Sequence, residues 1–188
     1  MSELTYETRP SMFSETRTYT LGPDSLAASG KDRAKSRIAL KDVTRVSLYF
    51  VGLGEGRTYC RVETKKQQSL VFGSHHFAGV GSFENRHDTF DPFVRALCAK
   101  VAQQNPRVEL VQGRWLYVGL WSLGGLVMAG LAIALGLGFF FELAQNDALN
   151  LELGAGAAVG AILAYKAGRA AVVNLVKSFS ANTPPLDA

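Results

Sequence analysis

Cysteine, proline and charge are all scarce in this chain. Its 188 residues include two Cys and six Pro, too few for a disulfide scaffold or a proline-rich linker protein. Charged residues make up 19% against 47% hydrophobic, the reverse of a composition that stays disordered. The N-terminus, MSELTYETRP, has no basic n-region and no apolar h-region, so no secretory signal is expected. A nucleotide-binding glycine loop is also missing. Gly52, Gly54 and Gly56 lack the G-x-G-x-x-G spacing and join two apparent strands, which reads as a hairpin connection. Ser82, His87 and Asp88 share a loop but match no nucleophile motif. No catalytic residue is assigned, and no enzyme is expected.

What is present is divided unevenly. Through Trp115 the chain carries 17 basic and 12 acidic residues, whereas the remainder is mostly Gly, Ala, Leu and Val. A polar domain is therefore followed by an apolar one. Leu116 to Phe141 runs 26 residues without a charge, enough at ~1.5 Å per residue to cross a ~30 Å hydrocarbon layer with tilt. Trp115, Tyr117 and Trp121 gather at its start, as aromatic residues do at a bilayer interface. The first transmembrane helix is expected over 115–142, a short outer loop over 143–150, and a second helix over 151–173. The uncharged core of the second, Leu153 to Tyr165, has only 13 residues. It spans if Lys166 and Arg169 extend their stems to the headgroups.

Small residues recur every four positions in this second segment, at Gly156, Gly160, Ala164 and Gly168. Gly125 and Ala129 repeat the spacing in the first. Such stripes let helix backbones approach closely where lipid supplies no hydrophobic drive, so a packed hairpin is expected, within one chain or between chains. Glu142, Asp147 and Glu152 flank the connection without a basic residue, while Arg114, Lys166, Arg169 and Lys177 lie at the opposite ends. Basic flanks stay cytoplasmic. Both termini are thus expected in the cytoplasm of a multi-pass protein of the inner (plasma) membrane. Val172, Leu175, Val176 and Phe179 fall at i, i+3, i+4 and i+7, the pattern of an amphipathic surface helix or of a helix end. The cytoplasmic tail, 174–188, contains a Pro pair and is expected to be loose.

The polar region reads as a loose arm over 1–15 and a domain over 16–113. Thr18–Leu21, Ser25–Ala28 and Arg37–Leu40 read as short strands. Val43 to Val51 and Thr58 to Thr64 alternate apolar and polar residues, as half-buried antiparallel strands do. Ser69–Phe72 follows. Asp91-Pro92 reads as a helix start, and Asn105-Pro106 as its end. Phe93, Leu97 and Val101 would form the core face of that helix.

The stretches YTLGPDSLAAS, RIALKDVTRVSLYF and TYCRVET, with DPFVRALCAKVAQQNP as closing helix, resemble the bacterial pleckstrin-homology-like (PH-like) domains fused to membrane helices. The resemblance implies an α+β fold, an antiparallel barrel or sandwich capped by one helix. It also implies a cytosolic binding or assembly module without a catalytic site. The Gly73 to Thr89 stretch is long for this pattern and has room for an extra short strand.

The remaining candidates are surface chemistry. Lys31, Arg33, Lys35 and Arg37 alternate, so an extended chain points all four one way. With Arg114, Lys166 and Arg169 they are the candidate contacts for anionic lipid, the alternative being a solvated loop. His75, His76 and His87 with Glu84 and Asp88 are ligand types, but adjacent histidines fit one tetrahedral site badly, and no metal or other cofactor is expected. Cys60 and Cys98 lie on apparent core faces and read as buried thiols. Domain charge is modest and no basic-aromatic platform occurs, so nucleic acid is not an expected partner. No specific small-molecule ligand is expected either. The expected partners are the bilayer and a protein, another copy included. The alternative is an accessory subunit of a transporter or membrane enzyme.

Overall fold

The computed structural model describes residues 3–30, 36–51, 56–146 and 151–186. The chain is α+β and divides into two units, one through Gly113 together with the segment from Val176 onward, the other Arg114–Leu175.

The first unit begins with four strands, β1 (Leu4–Thr8), β2 (Arg17–Leu21), β3 (Ser25–Gly30) and β4 (Ser36–Ala39), paired antiparallel in that order. A 3-10 turn (Leu40–Asp42) leads to β5 (Val43–Val51), β6 (Arg57–Thr64) and β7 (Ser69–Gly73). A separate hairpin follows, β8 (His75–Gly79) and β9 (Ser82–Asn85), then helix α1 (His87–Gln104) and β10 (Glu109–Gln112). The second sheet has the order β11-β10-β5-β6-β7, where β11 is Lys177–Ser178. β10 runs parallel to β5, because four strands and a helix carry the chain back before it pairs.

Several expectations change here. Residues 1–15 do not form a loose arm throughout. Strand β1 lies on β2 with Tyr6 and Thr8 buried. Its inward residues number only two, too few for a period to show in the sequence. Helix α1 begins at His87, one turn before Asp91-Pro92. Asn85 Oδ1 accepts the His87 N–H at 2.9 Å and Thr89 Oγ1 donates to Arg86 O at 3.2 Å, which holds the extra turn. Pro92 sits so near the start that it costs one intrahelical bond. Asp91 meets His87 Nδ1 at 3.0 Å. The stretch 73–89 holds a hairpin, and a 3-10 turn takes Leu40 out of the strand expected over Arg37–Leu40.

The sheets do not close into a barrel among the described residues. Side chains bridge the opening. Tyr6 Oη donates to Gly73 O at 2.6 Å and Tyr19 Oη to Val71 O at 3.0 Å. Both acceptors lie on β7, the sheet edge, where backbone groups lack a strand partner. The same tyrosines join Phe72, Phe90 and Phe93 in an aromatic core. Tyr19 and Phe72 have ring centroids 4.8 Å apart, and Tyr6 and Phe90 5.6 Å. Each such pair contributes roughly 0.5–1.5 kcal/mol beyond area burial. Helix α1 covers this core with Phe90, Phe93, Val94, Leu97, Cys98 and Val101, all buried.

The C-terminal segment belongs to this unit as well. Phe179 N–H donates to Leu110 O at 3.0 Å, Phe179 and Ala181 pack on the core, and Leu186 is 3% exposed. The loose tail expected over 174–188 is therefore corrected through Leu186. Apolar residues separated by polar ones in SFSANTPPL pack individually, and no helical or strand period announces them.

The second unit is a helical hairpin of α2 (Trp115–Asn146) and α3 (Leu151–Val173). At ~1.5 Å per residue, their 32 and 23 residues reach about 48 and 34 Å. Both are long and apolar enough to cross a membrane. Helix α3 ends at Val173, so Val172, Leu175, Val176 and Phe179 do not form an amphipathic helical extension. Helix α2 runs on through Asn146, so residues 143–146 of the expected outer loop are helical, and residues 147–150 lie outside the described residues.

Candidate functional site

The feature with the most definite chemistry is the helical hairpin. Large apolar side chains point away from its seam. Leu126 is 72% exposed, Phe140 67% and Ile162 55%. Water opposes exposure of this much apolar surface, at roughly 25 cal/mol per Å². A hydrocarbon environment removes that cost.

The seam sets small residues against each other over one stretch and against Leu135, Phe139 and Leu153 over the other. A Cβ on Gly160 would lie 3.0 Å from Ala132 Cβ and 3.3 Å from Ala132 Cα. One on Gly156 would lie 3.0 Å from Leu135 Cδ1, and one on Gly125 3.4 Å from Ala167 Cβ and 3.6 Å from Ala164 O. Gly156, Gly160, Ala164 and Gly125 therefore meet at the packing face. Ala129 is partly buried. Gly168 lies at the rim of the stripe: its backbone N is 3.8 Å from the Cβ position of Gly125, but nothing lies within 4 Å of its own Cβ position. The reason is helical geometry. Four residues turn the helix by about 400°, so a strict four-residue repeat drifts ~40° per step. Three steps carry Gly168 about 120° from Gly156, and Ala167, which is buried, takes its place. Ala132 and Ala167 were missed because the seam mixes three-residue steps with four-residue ones, as from Ala164 to Ala167.

The entry to α2 is locally determined. Gly113 donates to Leu48 O at 2.6 Å and has φ +82°, a left-handed conformation that glycine adopts without strain. The Arg114 guanidinium lies 5.9 Å from the centroid of the Tyr117 ring, the pairing of basic and aromatic groups found at bilayer interfaces. Lys166 and Arg169 are exposed on α3. Of the alternating cations, Arg37 lies on β4, and Lys31, Arg33 and Lys35 lie outside the described residues, as do Gly52 and Gly54. The lipid-contact candidates are thus spread over both units, and no basic strip is drawn together among the described residues.

The histidines form a polar seam of the first unit. Ser74 is fully buried, with Oγ 3.0 Å from His75 Nδ1 and accepting the Thr58 N–H at 3.1 Å. Thr8 Oγ1 donates to His75 O at 2.9 Å. The rings of His75 and His87 meet edge to face at 5.9 Å. A Ser–His contact beside a His–Asp contact contains nucleophile chemistry by type, yet Ser74 exposes no surface for a substrate. Its hydroxyl fastens β8 to β6. His76 Nδ1 accepts the Arg9 N–H at 3.2 Å. Partial burial and the Arg86 charge lower its pKa, opposed by Glu84 and Glu7. No group of three His, Cys, Asp or Glu suited to a metal ion occurs among the described residues.

Cys60 and Cys98 are buried in the core and unpaired with each other. Burial pushes the Cys98 thiol up to about 12 and raises Cys60 strongly. A nucleophilic cysteine has the opposite shift.

No family model, no curated protein and no solved structure matches this chain.

Proposed function

We propose that this chain is a two-pass protein of a bacterial inner membrane that presents a PH-like module at the cytoplasmic face. The module binds a protein partner or assembles with further copies. The observation that carries the reading is the pairing of β10 with β11. The strand entering the hairpin and the strand leaving it are hydrogen-bonded neighbours, Val111 opposite Ser178 and Gln112 opposite Lys177. One sheet cannot have its two strands on opposite sides of a bilayer, so the helices cross as a pair. Charge then selects the side. Arg114, Lys166, Arg169 and Lys177 mark the domain end and Glu142 and Glu152 the far end.

Support for the PH-like reading is the order of antiparallel strands followed by a helix that covers their core. Tyrosine hydroxyls take the place of a continuous barrel seam. A membrane anchor confines such a module to a thin layer and raises its effective concentration toward partners in that layer.

Crosslinking in native membranes, with attachment points on the first unit, tests the reading. Recovery of one recurrent protein, or of this chain itself, is the expected result. Recovery of lipid alone would overturn the binding-module reading. A stoichiometric polytopic transporter or enzyme would instead make the chain an accessory subunit.

A further inference from the structure

A cleft of about 520 Å³ opens in the first unit between the β2–β3 turn, β4, the 3-10 turn and the end of α1. Asp24, Ser25, Arg37, Ala39, Lys41 and Gln104 line it. Its walls are fixed by bonds between elements. Leu40 N–H donates to Asp24 O at 2.9 Å, Lys100 Nζ to Gly22 O at 2.9 Å, and Gln104 Nε2 to Pro23 O at 2.7 Å. β3 and β4 pair with Ser25 opposite Ala39 and Ala27 opposite Arg37. The frame is thus set before any ligand arrives.

The charges within this frame are unbalanced. Arg37 Nε donates to Ser25 Oγ at 2.9 Å, which orients the guanidinium, and Arg37 has no ion pair among the described residues. Lys41 has no ion pair among the described residues. The single carboxylate of the lining, Asp24, accepts the Gln104 amide at 3.0 Å through Oδ1. Two cations without an ion pair among the described residues therefore border one cleft. A planar guanidinium beside a lysine ammonium suits a phosphate, bound through paired N–H donors and a point charge. The other Asp24 oxygen is of a type that can accept a hydroxyl or ammonium hydrogen. The volume exceeds that of a phosphate ion and lies in the usual range for small-molecule sites.

We propose that this cleft binds a phosphate ester that also carries a hydroxyl or amino group. Phosphate lies against Arg37 and Lys41, and the second group against Asp24. That chemistry occurs in soluble phosphorylated metabolites and in phospholipid headgroups. The site needs neither the hairpin nor a protein partner, so it stands apart from the reading above.

The test uses the full-length protein in nanodiscs of phosphatidylcholine. One arm titrates glycerol 3-phosphate. The other titrates dihexanoyl phosphatidylglycerol, which stays monomeric in water. Saturable binding is expected in at least one arm, weakened about tenfold or more by Arg37→Gln or Lys41→Gln and unchanged by Lys65→Gln. Binding of the soluble ester alone assigns a metabolite, and binding of the lipid alone assigns a headgroup. Arg37 and Lys41 are both exposed, so their substitution leaves the core intact, which an unchanged unfolding midpoint verifies. No saturable binding of either probe up to about 10 mM, or equal binding by both variants and the parent, would overturn the proposal.

Discussion

The two units solve the same packing problem with opposite residues. The β-rich unit fills its interior with large rings, Tyr6, Tyr19, Phe72, Phe90 and Phe93, and ties their hydroxyls to a sheet edge. The hairpin does the reverse. Its seam holds Gly156, Gly160, Ala132 and Ala167, with Leu135 and Phe139 seated against glycines, and large side chains such as Leu126, Phe140 and Ile162 face outward. In water, burial of apolar area drives folding and large side chains belong inside. In lipid that drive disappears, and close backbone contact gives the cohesion. The inversion separates the two units more sharply than their secondary structure does.

The comparison can be broken most strongly at the rings. Phe93→Ala should destabilise the first unit by about 3–5 kcal/mol, because it leaves a cavity in the aromatic core. Chemical denaturation of the full-length protein measures this, and the hairpin should keep its helicity.

Gly160→Leu tests the other half. A leucine there has Ala132 Cα within 3.3 Å of its Cβ, so the helices must separate. A disulfide reports on the seam. A Cβ at Gly136 would lie 3.9 Å from Ala157 Cβ, within bridging distance. Gly136→Cys with Ala157→Cys should therefore crosslink within one chain under mild oxidation, and adding Gly160→Leu should abolish the crosslink.

The tyrosine bridges predict a smaller effect. Tyr6→Phe and Tyr19→Phe keep the rings and should each cost about 1 kcal/mol by thermal or chemical unfolding. The first leaves Gly73 O, the second Val71 O, without its hydroxyl donor.

The smallest expected effect is pH-dependent. His76 has a lowered pKa in the folded chain, so the unfolded chain takes up its proton first as the pH falls. Stability should decline as the pH drops below the ordinary histidine pKa and level off once the folded form is protonated too. His76 is largely solvated, which keeps the change small. His76→Gln should flatten that part of the stability profile between about pH 7 and 5.

Legibility in the sequence followed the same division. The run from Leu116 announced α2 because a bilayer demands about 20 apolar residues in succession. Val43–Val51 announced β5 because Val46, Leu48 and Phe50 alternate with Arg45, Ser47 and Tyr49, enough to show a period of two, although the strand buries Ser47 and Tyr49 as well. The ends of the first unit stayed silent. β1 has five residues and β11 two, and their place depends on partners distant in sequence. Pro92 misled in another way, since a local start signal yielded to Asn85 and Thr89 one turn earlier. At Gly168 the residue type was right, but a four-residue stripe does not stay on one face of a 3.6-residue helix. Of the cleft, only Arg37 was legible, as one of the alternating cations; Lys41 and Asp24 were not, because four separate segments compose it.

The most direct test of the account is which side of the membrane each segment occupies. Single cysteines replace Arg107, Ala148 and Asn182 in turn, and intact spheroplasts are treated with a membrane-impermeant maleimide. Cys60 and Cys98 are buried and give little background. Labelling is expected at position 148 in intact spheroplasts, and at 107 and 182 only after the membrane is opened. Labelling of 107 and 182 from opposite sides, or recovery of the protein in the soluble fraction, would contradict it.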